Sequence, residues 1–278
     1  MPLLTQSYGK QRVRFLRTVR HPDRHEVLEI KAGIALDGDF SRAYLADDNS
    51  QVVATDTMKN TLMVLGYTFT GTSPEAFALY VRDHFLGKYP HVTSIRLDLE
   101  QAPWSRCNLA GKPHPHTFQF SGPTRTVSLH ATRDSLTLQG GLKDWRIMKT
   151  TGSGFVGFPR DEFTTLPETD DRILATEATI SWTYGPGSAD YETIHERVLP
   201  AMLHIFAETY SPSVQRTLFL MGEAALAAAP ELATITLALP NKHYLPINYA
   251  AFGLPAQQTL CWLPTDEPHG QIQATMSR

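Results

Sequence analysis

The sequence predicts an α+β protein built from two tandem ββααββ halves, each an antiparallel sheet with two helices on one face. Three observations carry this. Runs of strict apolar/polar alternation, the spacing of strands, are interrupted by stretches with the spacing of helices. Ser-Pro pairs, good helix starts with Ser capping and Pro in the first turn, stand at Ser73-Pro74 and Ser211-Pro212, 138 residues apart. The alternating runs that follow them, Ile95-Leu97-Leu99 and Ile235-Leu237-Leu239, lie 140 residues apart. The pattern reads as an internal duplication with a boundary near Ser135, giving domains 1–135 and 136–278.

The elements follow in order. Val13 and Phe15 alternate with Arg12 and Arg14, and Leu28, Ile30, Ala32, Ile34 and Leu36 hold every even position, so both runs are strands with one buried face. Met58 to Phe69 has helical spacing, and a second helix runs from Ser73-Pro74 to about Tyr89. Ile95 to Leu99 is a strand, and His116 to Arg133 is strand-like with a break at Gly122-Pro123. In the second half, Leu136 to Thr151 and Arg172 to Tyr184 read as strands. A long helix places Ile194, Val198, Met202 and Ile205 on one side, and the next helix, begun by Ser211-Pro212, places Val214, Leu218, Met221 and Ala225. Strands at Ile235 to Leu239 and at Ile272 to Met276 complete it. Each sheet keeps one face without helices, which calls for a partner, so a homo-oligomer is expected.

Composition excludes several classes. With 278 residues and 42% hydrophobic content the chain buries a core without disulfides or structural metal. Balanced charge, 25 Lys+Arg against 28 Asp+Glu, leaves no basic excess for a nucleic acid backbone. No apolar run reaches the roughly 20 residues of a spanning helix, so no membrane partner is expected. The charged segment Met1 to Arg20 lacks the greasy core of a signal peptide, and Cys107 and Cys261 lack CxxC spacing, so the expected setting is a reducing cytoplasm.

Gly152-Ser153-Gly154-Phe155-Val156-Gly157 spells GxGxxG, but Pro159 and Pro167 follow where a dinucleotide fold needs a helix. These glycines instead allow a bend that presents Phe155. His114 and His116 flank Pro115, and His21 and His25 share a polar turn; neither pair has metal-ligand spacing, and both read as solvated. His243 follows Pro240-Asn241-Lys242 where an alternating strand ends, either lining a cleft or merely closing the strand. Thr55 and Asp56 sit at a helix start, where capping explains them. Arg172 follows Asp170-Asp171 and has salt bridging as its plain explanation, and Gln215 in a first helical turn has solvation as its own.

Taken together, five ordered stretches carry more than any single residue. They are Tyr8-Gly9-Lys10; Val53-Ala54-Thr55-Asp56-Thr57-Met58-Lys59-Asn60-Thr61; one long run from Thr150 and Phe155 through Gly157-Phe158-Pro159-Arg160 and Leu166 to Asp171-Arg172; Ser211-Pro212-Ser213-Val214-Gln215; and Leu239-Pro240-Asn241-Lys242-His243-Tyr244. In sequence and order they resemble the urate oxidases across nearly the whole chain. The departures, Trp145, Ile147 and Met148 ahead of Lys149, concern strand packing.

The resemblance implies two tunnelling-fold domains per subunit, assembled as a homotetramer around a barrel-like tunnel with active sites at subunit interfaces. It implies oxidation of urate by dioxygen and water to 5-hydroxyisourate and hydrogen peroxide, with no metal and no organic cofactor. By resemblance Phe155 is the platform on which the flat purine stacks, Arg172 the forked cation and Gln215 the reader of the ring edge. Leu166 packs nearby, and the backbone N–H groups of Val214 and Asp56 face the substrate. Lys10, Thr55 and His243 resemble a proton relay, and Asn241 with Thr55 the pair that holds dioxygen and then water. Two other readings of such a fold stand beside this one, a pterin or purine enzyme, often zinc-dependent, and a purine-binding protein without catalysis. Eukaryotic relatives often end in a peroxisomal tripeptide; this chain ends Met276-Ser277-Arg278, so a cytoplasmic setting is expected.

Overall fold

The computed structural model of the protein describes residues 3–187, 190–254 and 260–278. It divides into two compact units, Met1–Leu142 with Pro186–Glu192, and Lys143–Gly185 with Thr193–Arg278.

Unit 1 contains β1 (Tyr8–Arg20), β2 (His25–Gly38), α1 (Ser41–Leu45), α2 (Thr55–Thr68), α3 (Pro74–Lys88), β3 (Val92–Gln101), β4 (Trp104–Leu109), β5 (Lys112–Phe120) and β6 (Thr124–Ala131). The strand β7 (Leu136–Lys149) crosses the division. Unit 2 continues with β8 (Leu174–Tyr184), α4 (Tyr191–Glu208, whose first two residues belong to unit 1), α5 (Val214–Ala228), β9 (Leu232–Pro246), a 3-10 turn at Tyr249–Phe252 and β10 (Trp262–Ser277). The fold is α+β with antiparallel sheets, as the alternation predicts. In unit 1 the strand order is β1-β2-β3-β6, and in unit 2 β8-β9-β10 with β7 beside β8. Among the described residues no helix is long and apolar enough to cross a membrane.

Each core follows from strand period. In unit 1 the even positions of β2 (Ile30, Ala32, Ile34, Leu36) and the odd positions of β3 (Ile95, Leu97, Leu99) are almost fully buried beneath Met58 and Leu62 of α2 and Phe77, Val81 and Phe85 of α3. Burial of each such side chain contributes about 1.5–3 kcal/mol. The opposite face of this sheet is polar: Lys31 pairs with Glu100 at 2.8 Å, and Glu29 accepts from Arg14 and from the Trp104 indole. A bulge interrupts β1. Lys10 pairs with Ile34 and Val13 with Ala32, so Gln11 and Arg12 together face Gly33, and Arg12 takes φ 60°. Because of that extra residue Lys10 and Val13, three apart, both lie on the helix side of the sheet. Asp144 of β7 also takes a positive φ, 59°.

Several expectations need correcting. The second Ser-Pro is not a helix start: α5 begins at Val214, and Ser213 is its cap, accepting from the Arg216 N–H at 3.2 Å. Ser211 is buried, its hydroxyl accepting from Thr217 at 2.6 Å and donating to the Ser213 carbonyl. With Ser73 capping α3 at the Ala76 N–H, the true caps are 140 residues apart, the same spacing as the strands. The apolar stripe of α4 ends at Phe206, which is buried, not at Ile205. The strand that was to end before His243 instead runs to Pro246. Two elements had no signal, the five-residue α1, too short for periodicity, and β4; of its hairpin partner β5 only His116 to Phe120 fell within a strand-like stretch. That hairpin turns on Ala110 (φ 50°) and Gly111 (φ 78°), a primed turn in which Ala stands where Asn or Asp would have announced it. Trp145 is buried and Met148 exposed, in keeping with a packing difference.

The capping assignment makes a prediction: Ser213→Ala should lower unfolding free energy by about 1 kcal/mol and Ser213→Gly by only a few tenths. Urea unfolding midpoints at unchanged slope measure both, and equal losses would remove Ser213 as the cap.

Candidate active site

Seven of the ten residues singled out from the sequence lie in unit 2 and three in unit 1. In unit 2 the segment between β7 and β8 is laced to the approach of α5. The Gly154 N–H donates to the Ser211 carbonyl at 2.8 Å and the Ser211 N–H to Gly152 at 2.9 Å. Phe155 and Thr169 exchange backbone bonds of 2.7 and 3.2 Å, and the Arg172 N–H donates to the Ser153 carbonyl at 2.7 Å. Asp171 receives the Gly152 N–H and the Thr151 hydroxyl, and the Tyr210 hydroxyl donates to the Asp170 carbonyl at 2.9 Å. Gly154 is obligatory here, since a Cβ would stand 2.3 Å from the Tyr210 oxygen and 2.9 Å from the Thr169 carbonyl.

This lacing brings Arg172 beside Phe155, with the guanidinium carbon 5.4 Å from the ring centroid. A cation held this way gains about 0.5–2 kcal/mol from the ring. Burial pushes the Arg172 pKa down from its ordinary value, opposed by neighbouring Tyr210, and its Nε is shielded with no partner among the described residues. Phe158 stacks on Phe155 at 4.8 Å with planes 9° apart. Sequence reasoning gave no role to Phe158, which lies inside the run from Thr150 to Arg172, or to Tyr210, which stands just before Ser211. Leu166 is half exposed on the same loop, its carbonyl accepting from Arg160.

The α5 start belongs to the same neighbourhood. Ser211, in backbone contact with Gly154, is three residues before Val214, which is buried, and Gln215, which is exposed. The first N–H groups of a helix have no intrahelical acceptor; Ser213 satisfies Arg216, leaving those of Val214 and Gln215 at the open end. Asn241 and His243 continue the face of β9 that carries Leu237 and Leu239. Gly222 of α5 lies against Leu237, since a Cβ there would meet that side chain at 3.3 Å. From Gly222 back to Val214 the helix rises about 12 Å, three to four strand residues, which sets Val214 near the level of Asn241. Directly across from Asn241 on β8 is Thr176, almost fully buried, whose hydroxyl has no partner among the described residues.

In unit 1, Lys10 lies on the helix side of β1, Tyr8 anchors the entry to α2 through its hydroxyl, which accepts from the Val53 N–H at 2.7 Å, and α2 starts at Thr55. Neither Thr55 nor Asp56 caps this helix. The N-cap is Ala54, without a side-chain bond, and the Asp56 carboxylate instead binds Lys59 and Asn60. Lys59 holds that carboxyl below its usual range, with Asn60 and the charge of Lys10 adding to the effect. The first turn of α2 therefore presents its N–H groups beside a hydroxyl and an amine.

His114 and His116 have ring centroids 4.6 Å apart, with His25 5.8 Å from His116. Among the described residues no group of three or more His, Cys, Asp or Glu is placed to hold a metal ion. The segment around Gly152 to Gly157 is followed by no helix before β8.

The family model described as Uricase matches residues 6–129 and 138–273, which include all ten candidate site residues. The chain belongs to the uricase family. A uricase of Dictyostelium discoideum is 39% identical over 99% of this chain and 97% of its own length. A uricase of Arthrobacter globiformis is 36% identical over 98% of this chain and 88% of its own. Among solved structures, the Arthrobacter globiformis uricase superposes with a TM-score of 0.92 at 35% identity, covering all of this chain and 95% of that one. The urate oxidase of Bacillus sp. TB-90 gives 0.84 at 27% identity over 98% of this chain and all of that one.

For this uricase-family chain, Gly154→Ala should destabilise by about 1–3 kcal/mol through overpacking. Adding Tyr210→Phe should return part of the loss by removing the nearest atom. Thermal unfolding of the two single variants and the double variant measures the coupling, and strict additivity would mean the contact is not the cause.

Proposed function

We propose that the chain is a cofactor-independent urate oxidase, converting urate, dioxygen and water to 5-hydroxyisourate and hydrogen peroxide. The observation that supports it most is the pairing of Arg172 with Phe155 beside the open start of α5, in a chain of the uricase family. A flat, electron-rich purine anion needs an aromatic surface, a forked cation and amide groups along its edge. Phe155, Arg172, and Gln215 with the Val214 N–H have that chemistry, and Leu166 flanks them. A pterin-type enzyme or a purine-binding protein would not call for the amine and hydroxyl at the start of α2.

In this reading Lys10 and Thr55 withdraw a proton from bound urate, Lys10 as base and the Thr55 hydroxyl as carrier, with His243 completing the relay. The resulting dianion is the reductant. It gives two electrons to dioxygen, which leaves as hydrogen peroxide with two protons, and water adds its oxygen to the oxidised ring. Asn241 and Thr55 hold dioxygen and then the attacking water, and the Asp56 N–H orients a ring nitrogen. The residues from the two units meet across subunits of a homotetramer. The duplication supports this: Glu192, in the first turn of α4, is held at the Gln101 end of unit 1 through Arg125, and its counterpart in the first half is Asp56 of α2. The same arrangement, repeated on unit 2 of a second copy, brings Thr55 and Asp56 to the Asn241 end.

The direct test is loss of urate absorbance with stoichiometric peroxide by the purified, chelator-treated protein; activity that returns only with added metal would overturn the reading. Lys10→Met should lower kcat at least tenfold with little change in urate affinity, as expected of a proton-transfer group. A raised KM at unchanged kcat would make Lys10 a binding charge only. Subunit sharing predicts complementation: Thr55→Ala and Arg172→Ala, each impaired alone, should recover about a quarter of wild-type sites when co-expressed, because half of random pairs are mixed and half of each mixed pair is intact. Doubly tagged oligomers with no gain over either variant would place both residues in one subunit.

A further inference from the structure

The two units are built on one pattern, and matching them residue by residue shows what has become of the corresponding end of unit 1. Helix caps Ser73 and Ser213, and core runs Ile95-Leu97-Leu99 and Ile235-Leu237-Leu239, share an offset of 140 residues. Buried Met58 and Leu62 of α2 match Ile194 and Val198 of α4 at an offset of 136. Glu75 therefore stands where Gln215 stands, Gln101 where Asn241 stands, and Glu192 where Asp56 stands. The strand registers add a fourth match. Asn241 is paired with Gly270 on β10, and Gln101 is paired with Arg125 on β6.

The chemistry at these positions is inverted. The amide of Gln215 is replaced by the almost fully buried carboxylate of Glu75, and the space over Gly270 by a buried arginine. A Cβ at Gly270 would make only ordinary contacts, 3.6 Å from Ile272 and 3.8 Å from Asn241, and no positive φ requires glycine, so its effect is to leave room. Arg125 fills the matching room in unit 1: its Nη2 donates to Glu75 at 3.0 Å and its Nη1 to Glu192 at 2.7 Å. A cavity of about 220 Å³ remains beside it, bounded by Arg17, Gly71, Thr72, Gln101 and Glu192.

We propose that this end of unit 1 is the duplicated twin of the Arg172 end of unit 2, converted from a planar-anion site to a planar-cation site and permanently filled by the guanidinium of Arg125. The chain then offers one urate site, not two. Two carboxylates grip a forked cation in unit 1 where a forked cation and an amide are open to an anion in unit 2. The proposal rests on the preceding reading for which end of unit 2 is compared; its cation chemistry rests on unit 1 alone.

The test removes the internal occupant and supplies it from solution. Arg125→Ala leaves Glu75 and Glu192 facing each other, so its Tm should fall by roughly ten degrees. Methylguanidinium at millimolar concentration should raise that Tm saturably and bind calorimetrically at one equivalent per chain, while methylammonium does much less and wild type does not respond. Adding Glu75→Gln to Arg125→Ala should abolish the response. A folded Arg125→Ala protein without saturable methylguanidinium binding, or binding that survives Glu75→Gln, would overturn the proposal. If Arg125→Ala does not fold alone, refolding with methylguanidinium should yield soluble protein, and no recovery or equal recovery with methylammonium counts against it. Urate should titrate wild type at one equivalent per chain, and two equivalents also overturn it. Urate oxidation by wild type is a separate readout: its absence alongside intact methylguanidinium binding removes the functional reading and leaves the twin site standing.

Discussion

A strand holds its side chains on one face only as long as its period is unbroken, and the site in unit 2 depends on that constraint in β9. Ile235, Leu237 and Leu239 are buried against α5, and two further steps of the same period place Asn241 and His243 on the same side, beyond the helix start. The apolar core thus fixes the polar residues. Any slip of register that disturbed Leu237 against Gly222 would turn Asn241 and His243 to the other face. The pairing of β9 with both β8 and β10 makes such a slip costly, since it breaks two ladders at once.

The loop carrying Phe155 and Arg172 solves a different problem, that of holding irregular backbone still. It does so with bonds to the α5 approach and to its own far end, and with side-chain acceptors at its turns. An aromatic ring stacked on a second ring and a guanidinium flanked by that ring lose little further freedom when a flat ligand arrives.

What the sequence revealed and what it hid follow from the range of each interaction. Alternation and helical spacing are local, so nearly every long element was legible, as were the apolar stripes of α2 and α5. The caps were less so: Ser211-Pro212 has the right composition, but Ser211 is drawn into a buried bond with Thr217 and the helix waits for Ser213. The true end of β9 was hidden because Pro240 looks like a terminator, yet its partners on both sides continue. Of the candidate site residues, Thr55, Arg172, Gln215 and His243 each had a plain explanation alone and were singled out only as parts of ordered strings. Thr176 left no trace and Tyr210 only its place beside Ser211, because their positions are set by cross-strand register and by loop closure, which no local pattern encodes.

The bulge in β1 has a consequence for how such a chain tolerates change. Lys10 and Val13 are three positions apart where a regular strand would need an even separation to keep them on one side, and Arg12 in its left-handed conformation absorbs the difference. Straightening the bulge at unchanged length would give a smoother, more regular strand, and that strand would place either the amine or the core valine on the wrong side of the sheet. The irregularity therefore acts as a parity device: an odd separation keeps the amine and the valine on one side only while the extra residue stays out of the ladder, and idealising the backbone without shortening it would be the change most damaging to this stretch.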